Sequence, residues 1–593
     1  MKRKFTYFIV ALMMTMLSAA PASAAAIEQI GDRYIIHVDE LNLSGEETLA
    51  EVLAMFPNVI DFRGEVFGAN AAVRVNDYGL STHNMGYTGD YEQFLEKTKA
   101  KELDRIQVCT MAGTMKGTGG LDKVIDVYFK KGKNGTSGRV SVKADSYGSL
   151  TSFNTVKVER DNLTVWGQLM GGFRHTKVND IETHDGNEAA VVGFDWHINE
   201  TNKLMANVNQ SFYREHDNSF DTKTFSRDID VNIVYDLDLF DKRGYMEIQT
   251  VFLHFGENEG EPNMGEFYHE RQTTPVGVIE FGIPLYKDKA LLMTGIEGGL
   301  TKDTEDLLLP YNNRVLHYDD NNRVLYYDVY GQIDWNIHGL NISIGDRVRT
   351  NKYYLNENEN YSGSATDVKR STDHRHRNHF FNFALYGNIT KHSVLKGAFA
   401  KAPVSPYFHN FLGDFKSKEG DSQGYYEYYS SVPKMDAYIS ELKYEYQKPD
   451  FTFTTFINNS HTNFTSILPS PDEHGNIFQV GASTYWHKGI LRLAAALNYY
   501  NVMNHESGEK EYSNIIQVRL QPSISLLQGW QIVPLLSYSS FARLYGMGQP
   551  AQFNASLRVT KSIKNWDFDL VGNNLGHQRF GRRSVSLGIT YNW

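Results

Sequence analysis

The chain ends Ser584-Val-Ser-Leu-Gly-Ile-Thr-Tyr-Asn-Trp593, a strict alternation of small polar and large apolar residues. Side chains of a β-strand point alternately to its two faces. Val585, Leu587, Ile589, Tyr591 and Trp593 therefore share one face, and Ser584, Ser586, Gly588, Thr590 and Asn592 the other. The same pattern returns from about Gly138 onward, in segments of roughly ten to fifteen residues. Tyr327, Val329, Gly331, Ile333, Trp335 and Ile337 face one way, against Asp328, Tyr330, Gln332, Asp334 and Asn336. Leu491, Leu493, Ala495, Leu497 and Tyr499 stand against Arg492, Ala494, Ala496 and Asn498. Charges lie in the polar set. A wet or protein-filled interior tolerates them, whereas facing lipid at the midplane they would cost about 2–4 kcal/mol.

The connections alternate as well. Short turns fall at Asp161-Asn162, Lys287-Asp288-Lys289, His338-Gly339, Thr390-Lys391, Lys448-Pro449-Asp450, Lys488-Gly489, Gln528-Gly529 and Lys564-Asn565. Longer polar stretches lie between them, such as 356–378, 406–433 and 465–475. Short periplasmic turns alternating with long external loops are the topology of an outer-membrane barrel. The pattern predicts an antiparallel transmembrane β-barrel over 133–593 with about 22 strands. Its last strand must pair with its first, near Gly138–Gly148, so that no edge meets lipid.

Residues 25–132 read differently, as a small α/β domain. Ser44-Gly-Glu-Glu47 is a capping box before the helical stripe Leu49, Val52, Leu53 and Phe56. A strand at Ala72–Asn76, a second helix near Tyr91–Lys101, and strands at Asp104–Cys109 and Lys123–Phe129 follow. A domain of this size fits a lumen too wide for side chains alone to fill.

Composition narrows the class. Met1-Lys-Arg-Lys4, an apolar run from Phe5 to Ala20 and Ala22-Ser-Ala24 predict a secretory signal peptide over 1–24. Beyond it no second long apolar run occurs, and mean hydropathy is −0.44, which excludes a helical membrane protein. Yet there are 36 Tyr and 34 Phe, as the aromatic girdles of a barrel require. The net charge of −11 argues against nucleic acid as a partner. Cys109 is the only cysteine, so there is no intrachain disulfide and no cysteine metal cluster.

Several segments resemble the TonB-dependent outer-membrane receptors. Glu47-Thr-Leu-Ala-Glu-Val-Leu-Ala-Met-Phe-Pro57-Asn-Val59 resembles the "TLAEALRRVPGV" helix that opens the plug of that family. Leu103-Asp-Arg-Ile-Gln-Val108 is similar to its "IERIEV" strand. Gly117-Thr-Gly-Gly120, Val124-Ile-Asp-Val127 and Lys130-Lys-Gly132 resemble the plug ending "GTGGVINIVTKKG". In the barrel, Phe399–Pro403, Ser440–Tyr446 and Arg582–Gly588 resemble "FRAP", "YELGYKY" and "GRTVSLGLSYKF". The likeness is to receptors of the Bacteroidota type. It implies a plug within the lumen, a terminal aromatic read by the barrel-assembly machinery, and TonB as periplasmic partner. The chain departs from the pattern between Asp61 and Lys101, where it is short, and at the added Leu121-Asp-Lys123. Its candidate TonB box, Ile27-Glu-Gln-Ile30, matches poorly.

Candidate sites follow from residue chemistry. Gly117, Gly119 and Gly120 lack the Lys-Ser/Thr of a phosphate loop and read as a tight turn of the plug. In Asp373-His-Arg-His-Arg-Asn-His379 the arginines repel a cation, so the run reads as a solvated loop or a surface for an anionic ligand. The resemblance to haem receptors points to His409, just past the "FRAP"-like segment, with His83 in the plug segment Asp77–Asp90. Tyr425, Tyr426, Tyr428 and Tyr429 are placed to stack on a sugar or macrocycle, or to anchor at the membrane interface. No Ser/His/Asp order lies on strand ends, so no enzyme, catalytic residue or resident cofactor is expected.

The sequence therefore predicts an outer-membrane receptor and transporter for a scarce solute of the siderophore, haem, cobalamin or glycan class. Its expected partners are outer-membrane lipid, TonB, a small-molecule or glycan ligand and a surface lipoprotein. A structural or adhesive barrel that does not transport is the alternative. A porin fits less well, because a luminal plug would block diffusion.

Overall fold

The computed structural model describes residues 27–30, 33–38, 48–53, 71–75, 78–79, 98–109, 123–130 and 134–593. Within the last span it leaves out 179–180, 218–221, 242, 262–265, 287–288, 312–313, 338, 362–367, 404–433, 449, 466–472, 507–508, 527–528, 545–546, 574 and 576–582. The N-terminal strands are β1 (Ile27–Ile30), β2 (Arg33–His37), β3 (Ala71–Val75), β4 (Tyr78–Gly79), β5 (Leu103–Cys109) and β6 (Lys123–Phe129). They form one sheet in the order β1-β2-β5-β6-β3-β4, with only β3 and β6 parallel among the described pairs. Helix α1 (Leu49–Leu53) carries the expected stripe: Leu49, Val52 and Leu53 are fully buried. The second expected helix is replaced, at its described end, by a 3-10 turn over Ala100–Glu102. The reason is a tertiary contact: Lys99 pairs with Thr48 in an isolated bridge, which holds its backbone extended (φ −100°, ψ 148°).

The barrel begins with β7 (Gly135–Asp145), β8 (Leu150–Arg160), β9 (Leu163–Val178), β10 (Ile181–His197) and β11 (Asn202–Asp217). It continues through β12 (Thr222–Leu239), β13 (Gly244–Glu261), β14 (Glu266–Leu285), β15 (Ala290–Tyr311) and β16 (Arg314–Ile337). Then come β17 (Leu340–Tyr361), β18 (Val368–Thr390), β19 (Ser393–Pro403), β20 (Lys434–Lys448) and β21 (Phe451–Thr465). Next are β22 (Glu473–Lys488), β23 (Leu491–Glu506), β24 (Glu509–Leu526) and β25 (Trp530–Ser539). The small hairpin β26 (Ala542–Leu544) and β27 (Met547–Gln549) stands apart. The wall finishes with β28 (Gln552–Ile563), β29 (Trp566–Asn573) and β30 (Ser584–Asn592). Among the described residues, 22 strands close in chain order into one antiparallel barrel, the number the loop pattern predicts.

Burial is inverted relative to a water-soluble protein. Val329 and Leu587 are 57% and 54% exposed, while Asp328 and Asn382 are 1% and 2% exposed. Period-2 alternation places the apolar set outward, toward lipid, and the polar set inward. At the short-turn end, tight connections need left-handed backbone. Gly489 and Gly529 supply it at no steric cost (φ 60° and 76°).

The closure is the one the terminal alternation requires. β30 pairs with β7 from Ser586↔Asp145 to Asn592↔Arg139. Gly138 and Trp593 then exchange two backbone hydrogen bonds, of 3.2 and 3.1 Å. The indole of Trp593 lies over Gly138, where a β-carbon would collide with the ring. Trp593, Tyr591 and Trp566 form an aromatic row at this end, with ring separations of 6.1 and 4.7 Å, as an interfacial belt requires.

Strand length sets the outer profile. A strand crosses a bilayer in about 9–11 residues. β15 to β18 run 22, 24, 22 and 23 residues, so roughly half of each rises beyond the membrane. β29 and β30 have 8 and 9 residues and barely cross.

Candidate functional site

Register converts the inward alternation into rows of facing side chains. Glu297, Asp328 and Arg349 are direct neighbours across β15, β16 and β17. Gly295, Tyr330, Arg347 and Phe380 form the next row, from β15 to β18. Gly295 leaves room for the phenol of Tyr330, whose hydroxyl would lie 2.5 Å from a β-carbon there. That position lets Tyr330 donate to Glu280 at 2.8 Å, and Tyr245 donates to the other oxygen at 2.7 Å.

Two arginines and two carboxylates fill the centre of this wall. Arg347 donates to Asp328 through Nε at 2.8 Å and to Glu297 through Nη2 at 2.8 Å. Arg349 donates to Asp328 through Nη2 at 2.7 Å and through Nε at 2.9 Å. Both guanidinium groups also pack on rings, Arg347 at 5.4 Å from Tyr330 and Arg349 at 4.8 Å from Tyr326. Burying an ion costs several kcal/mol, which only such dense pairing offsets. The cluster therefore locks three strands of the tall wall together, β15, β16 and β17.

The wall is acidic overall. Asp228, Glu280, Glu297, Asp303 and Asp328 are buried on β12 to β16, and Arg347 and Arg349 are the buried cations of β17. Among the described residues, no three His, Cys, Asp or Glu side chains converge as a metal site.

A second feature lies at the barrel seam, where the N-terminal sheet meets the wall. Lys99 pairs with Asp567 of β29 at 2.9 Å, with both side chains buried. Glu102, in the 3-10 turn, pairs with Arg139 of β7. Asp567 also accepts from Ser562 (2.6 Å) and Asn592 (3.1 Å), and Arg139 Nε donates to Asn592 (3.2 Å). Lys157 of β8 donates to the backbone carbonyl of Lys130 at 3.4 Å. Three strands flanking the closure thus hold the sheet from inside.

The residues that sequence chemistry singles out, His83, His409, Tyr425, Tyr426, Tyr428, Gly117, Gly119 and Gly120, lie outside the described residues. The charged rows and the seam ion pairs were not foreseen as sites. Their signal was present as inward parity, since Asp328, Tyr330 and Gln332 already stood in the polar set. What one strand's alternation lacks is the register of its neighbours.

Neither a protein-family model nor a curated sequence matches this chain. Solved structures do. The ferric yersiniabactin uptake receptor FyuA from Yersinia pestis superposes with a TM-score of 0.72 at 10% identity, covering 95% of this chain and 98% of that one. The siderophore receptor PiuA from Acinetobacter baumannii gives 0.71 at 11% identity, covering 97% and 99%. The copper transporter OprC gives 0.71 at 10% identity, covering 97% and 100%. The fold is thus that of the TonB-dependent outer-membrane receptors, a closed 22-stranded antiparallel barrel.

Proposed function

We propose that this chain is an energised outer-membrane importer of a scarce, metal-bearing solute, with residues 25–132 as its plug. The observation that carries this reading is the N-terminal sheet held to the luminal face by two ion pairs, the buried Lys99 with Asp567 and the half-buried Arg139 with Glu102. A sheet seated there obstructs the lumen, so passage requires a pull on the N-terminal segment. β1 stands at the edge of its sheet as described and offers a row of backbone groups to a partner strand from the periplasm, the role TonB would fill. The sequence motifs resemble those of receptors of the Bacteroidota type.

The cargo follows from charge. An acidic inner wall raises the local concentration of a cation or a positively charged metal complex. Ferric chelates and copper are what the similar receptors and transporter are named for, and a metal-bearing solute suits this wall. Haem, held by His409 and His83, is a narrower form of the same reading. The tyrosines Tyr425, Tyr426 and Tyr428 would serve a glycan instead.

Uptake by cells carrying this protein as their sole receptor tests it, with radiolabelled ferric siderophores, copper, haem and cobalamin as the panel. Deleting residues 25–34 should abolish uptake of the accepted solute while leaving the barrel in the outer membrane. Uptake unchanged by that deletion would instead establish passive passage, and no uptake of any kind by the full chain would favour the structural barrel.

A further inference from the structure

We propose that the imported solute crosses the barrel along the luminal face of β21–β25, donating hydrogen bonds to a row of amide oxygens there. The inference rests on the import reading above and adds to it a route and a ligand chemistry. Register carries the inward parity from strand to strand. Asn458 stands directly opposite Gln479. One step nearer the short turns, Asn498 stands directly opposite Gln517. One step further down, Ser483 faces Ala496, Ala496 faces Arg519, and Arg519 faces Ser537. Such rows lie about 6.7 Å apart, and five strands spaced about 4.8 Å make an arc of roughly 19 Å.

These groups are buried and open at once. Gln479 and Ser537 are 3% and 2% exposed. Among the described residues, Oδ1 of Asn458, Oδ1 of Asn498, Oε1 of Gln517, Nε2 of Gln479 and the hydroxyl of Ser537 are buried atoms with no hydrogen-bond partner. A polar group buried without a partner is costly, so such groups are ordinarily paired with protein, water or ligand. Local sequence holds one of them in place. Gly481 leaves room for the ring of Phe456 and for Oδ1 of Asn498, and a β-carbon there would strike both. Three of the five atoms are amide oxygens, which only accept. The matching solute therefore brings O–H or N–H donors.

The other walls are committed to their own bonds. Asp328 accepts from Arg347 and Arg349, and Glu280 from Tyr245 and Tyr330. At the seam, Lys99 holds Asp567 and Arg139 holds Glu102. A solute sliding over those groups would have to break such pairs. On β21–β25 it meets amide oxygens that give up nothing to receive it. Among the described residues these strands turn no carboxylate inward. Arg492 and Arg519 donate within the wall, to Ser525 at 2.8 Å and Gln521 at 3.2 Å. The acidic wall gathers a cationic solute by long-range attraction, and the amide wall passes it on. Several similar neutral contacts suit passage, because each holds enough to admit the solute and too little to trap it.

The test labels single thiols in living cells during uptake. Cys109→Ser removes the only cysteine, and Ser483→Cys, Ser211→Cys or Ser141→Cys is then added singly on β22, β11 or β7. These serines are 5%, 3% and 0% exposed. Cells are treated with a small, charged, membrane-impermeant methanethiosulfonate, with and without an uncoupler, while uptake of ferric siderophores, copper, haem and cobalamin is counted. Ser483→Cys should react at least tenfold faster in energised cells than in uncoupled ones. Ser211→Cys and Ser141→Cys should react equally slowly in both. Equal acceleration at either of those two, or none at Ser483→Cys while solute enters, would overturn the route. Asn498→Leu/Gln517→Leu, migrating as a folded barrel on unheated gels, should import at least tenfold more slowly than the parent. Import at the parent's rate would overturn the donor chemistry. A parent that imports no member of the panel would overturn the import reading, and this route with it.

Discussion

Replacing Arg347 by Met gives the sharpest test of how the tall wall is held. The side chains of Arg347, Asp328 and Glu297 are 1%, 0% and 4% exposed, so water screens none of them. Met retains much of the apolar stem and its packing on Phe380 while deleting the guanidinium. Asp328 then keeps Arg349 at 2.7 Å, but Glu297 is left with that same group at 3.6 Å and the hydroxyl of Tyr326 at 3.5 Å. Glu297 thereby loses its closest guanidinium contact. Breaking a buried pair costs about 3–5 kcal/mol, and the surviving Arg349 holds the loss near the lower end, about 3 kcal/mol. Removing that carboxylate's charge as well, in Arg347→Met/Glu297→Gln, should return stability to within about 1 kcal/mol of wild type. Urea unfolding in detergent, followed by tryptophan fluorescence, gives the midpoints. Where unfolding is irreversible, the unfolding rates replace them. A single variant within about 1 kcal/mol of wild type, or a double variant weaker than the single one, would refute the electrostatic account.

Two further perturbations address the seam. Gly138→Ala drives a methyl group into the indole of Trp593 and should cost about 1–3 kcal/mol, with slower appearance of the heat-modifiable folded band during assembly; normal assembly kinetics would show that the ring moves aside freely. Lys99→Met/Glu102→Gln removes both plug-side ion partners of the barrel, and cells carrying it should become sensitive to large antibiotics that the outer membrane otherwise excludes. Unchanged sensitivity at equal surface expression would place the plug's retention in other contacts.

Much of the fold is legible because each face of a strand has a single neighbour, lipid or lumen. Val585, Leu587 and Ile589 had to face out once Ser586 and Thr590 faced in, and closure against residues near Gly138 followed from the ban on free edges in lipid. Strands β5 and β6 were equally plain, since Leu103–Cys109 and Lys123–Phe129 alternate within short bounds. The end of the expected helix near Lys101 was not, because a tertiary bridge to Thr48 decides the backbone at Lys99. The charged site was hidden for a related reason. Arg347 and Asp328 are 19 residues apart in sequence, and only the pairing Tyr330↔Arg347 brings them together. A one-residue slip would send every partner to the other face.

Period 2 also lets one set of strands carry two unrelated chemistries. On β15 to β17 the odd or even choice separates Glu297, Asp328 and Arg347, sealed against the lumen, from Lys302, Arg323 and Lys352 on the membrane side. The inner set pairs carboxylates with guanidinium groups at close range. The outer set repeats one sign. Backbone between them is shared, but side chains on opposite faces make no contact, so their contributions should add. Glutamines at Lys302, Arg323 and Lys352 should therefore leave the cost of Arg347→Met unchanged, and urea midpoints for the combined variant that depart from the sum by more than about 0.5 kcal/mol would refute that independence.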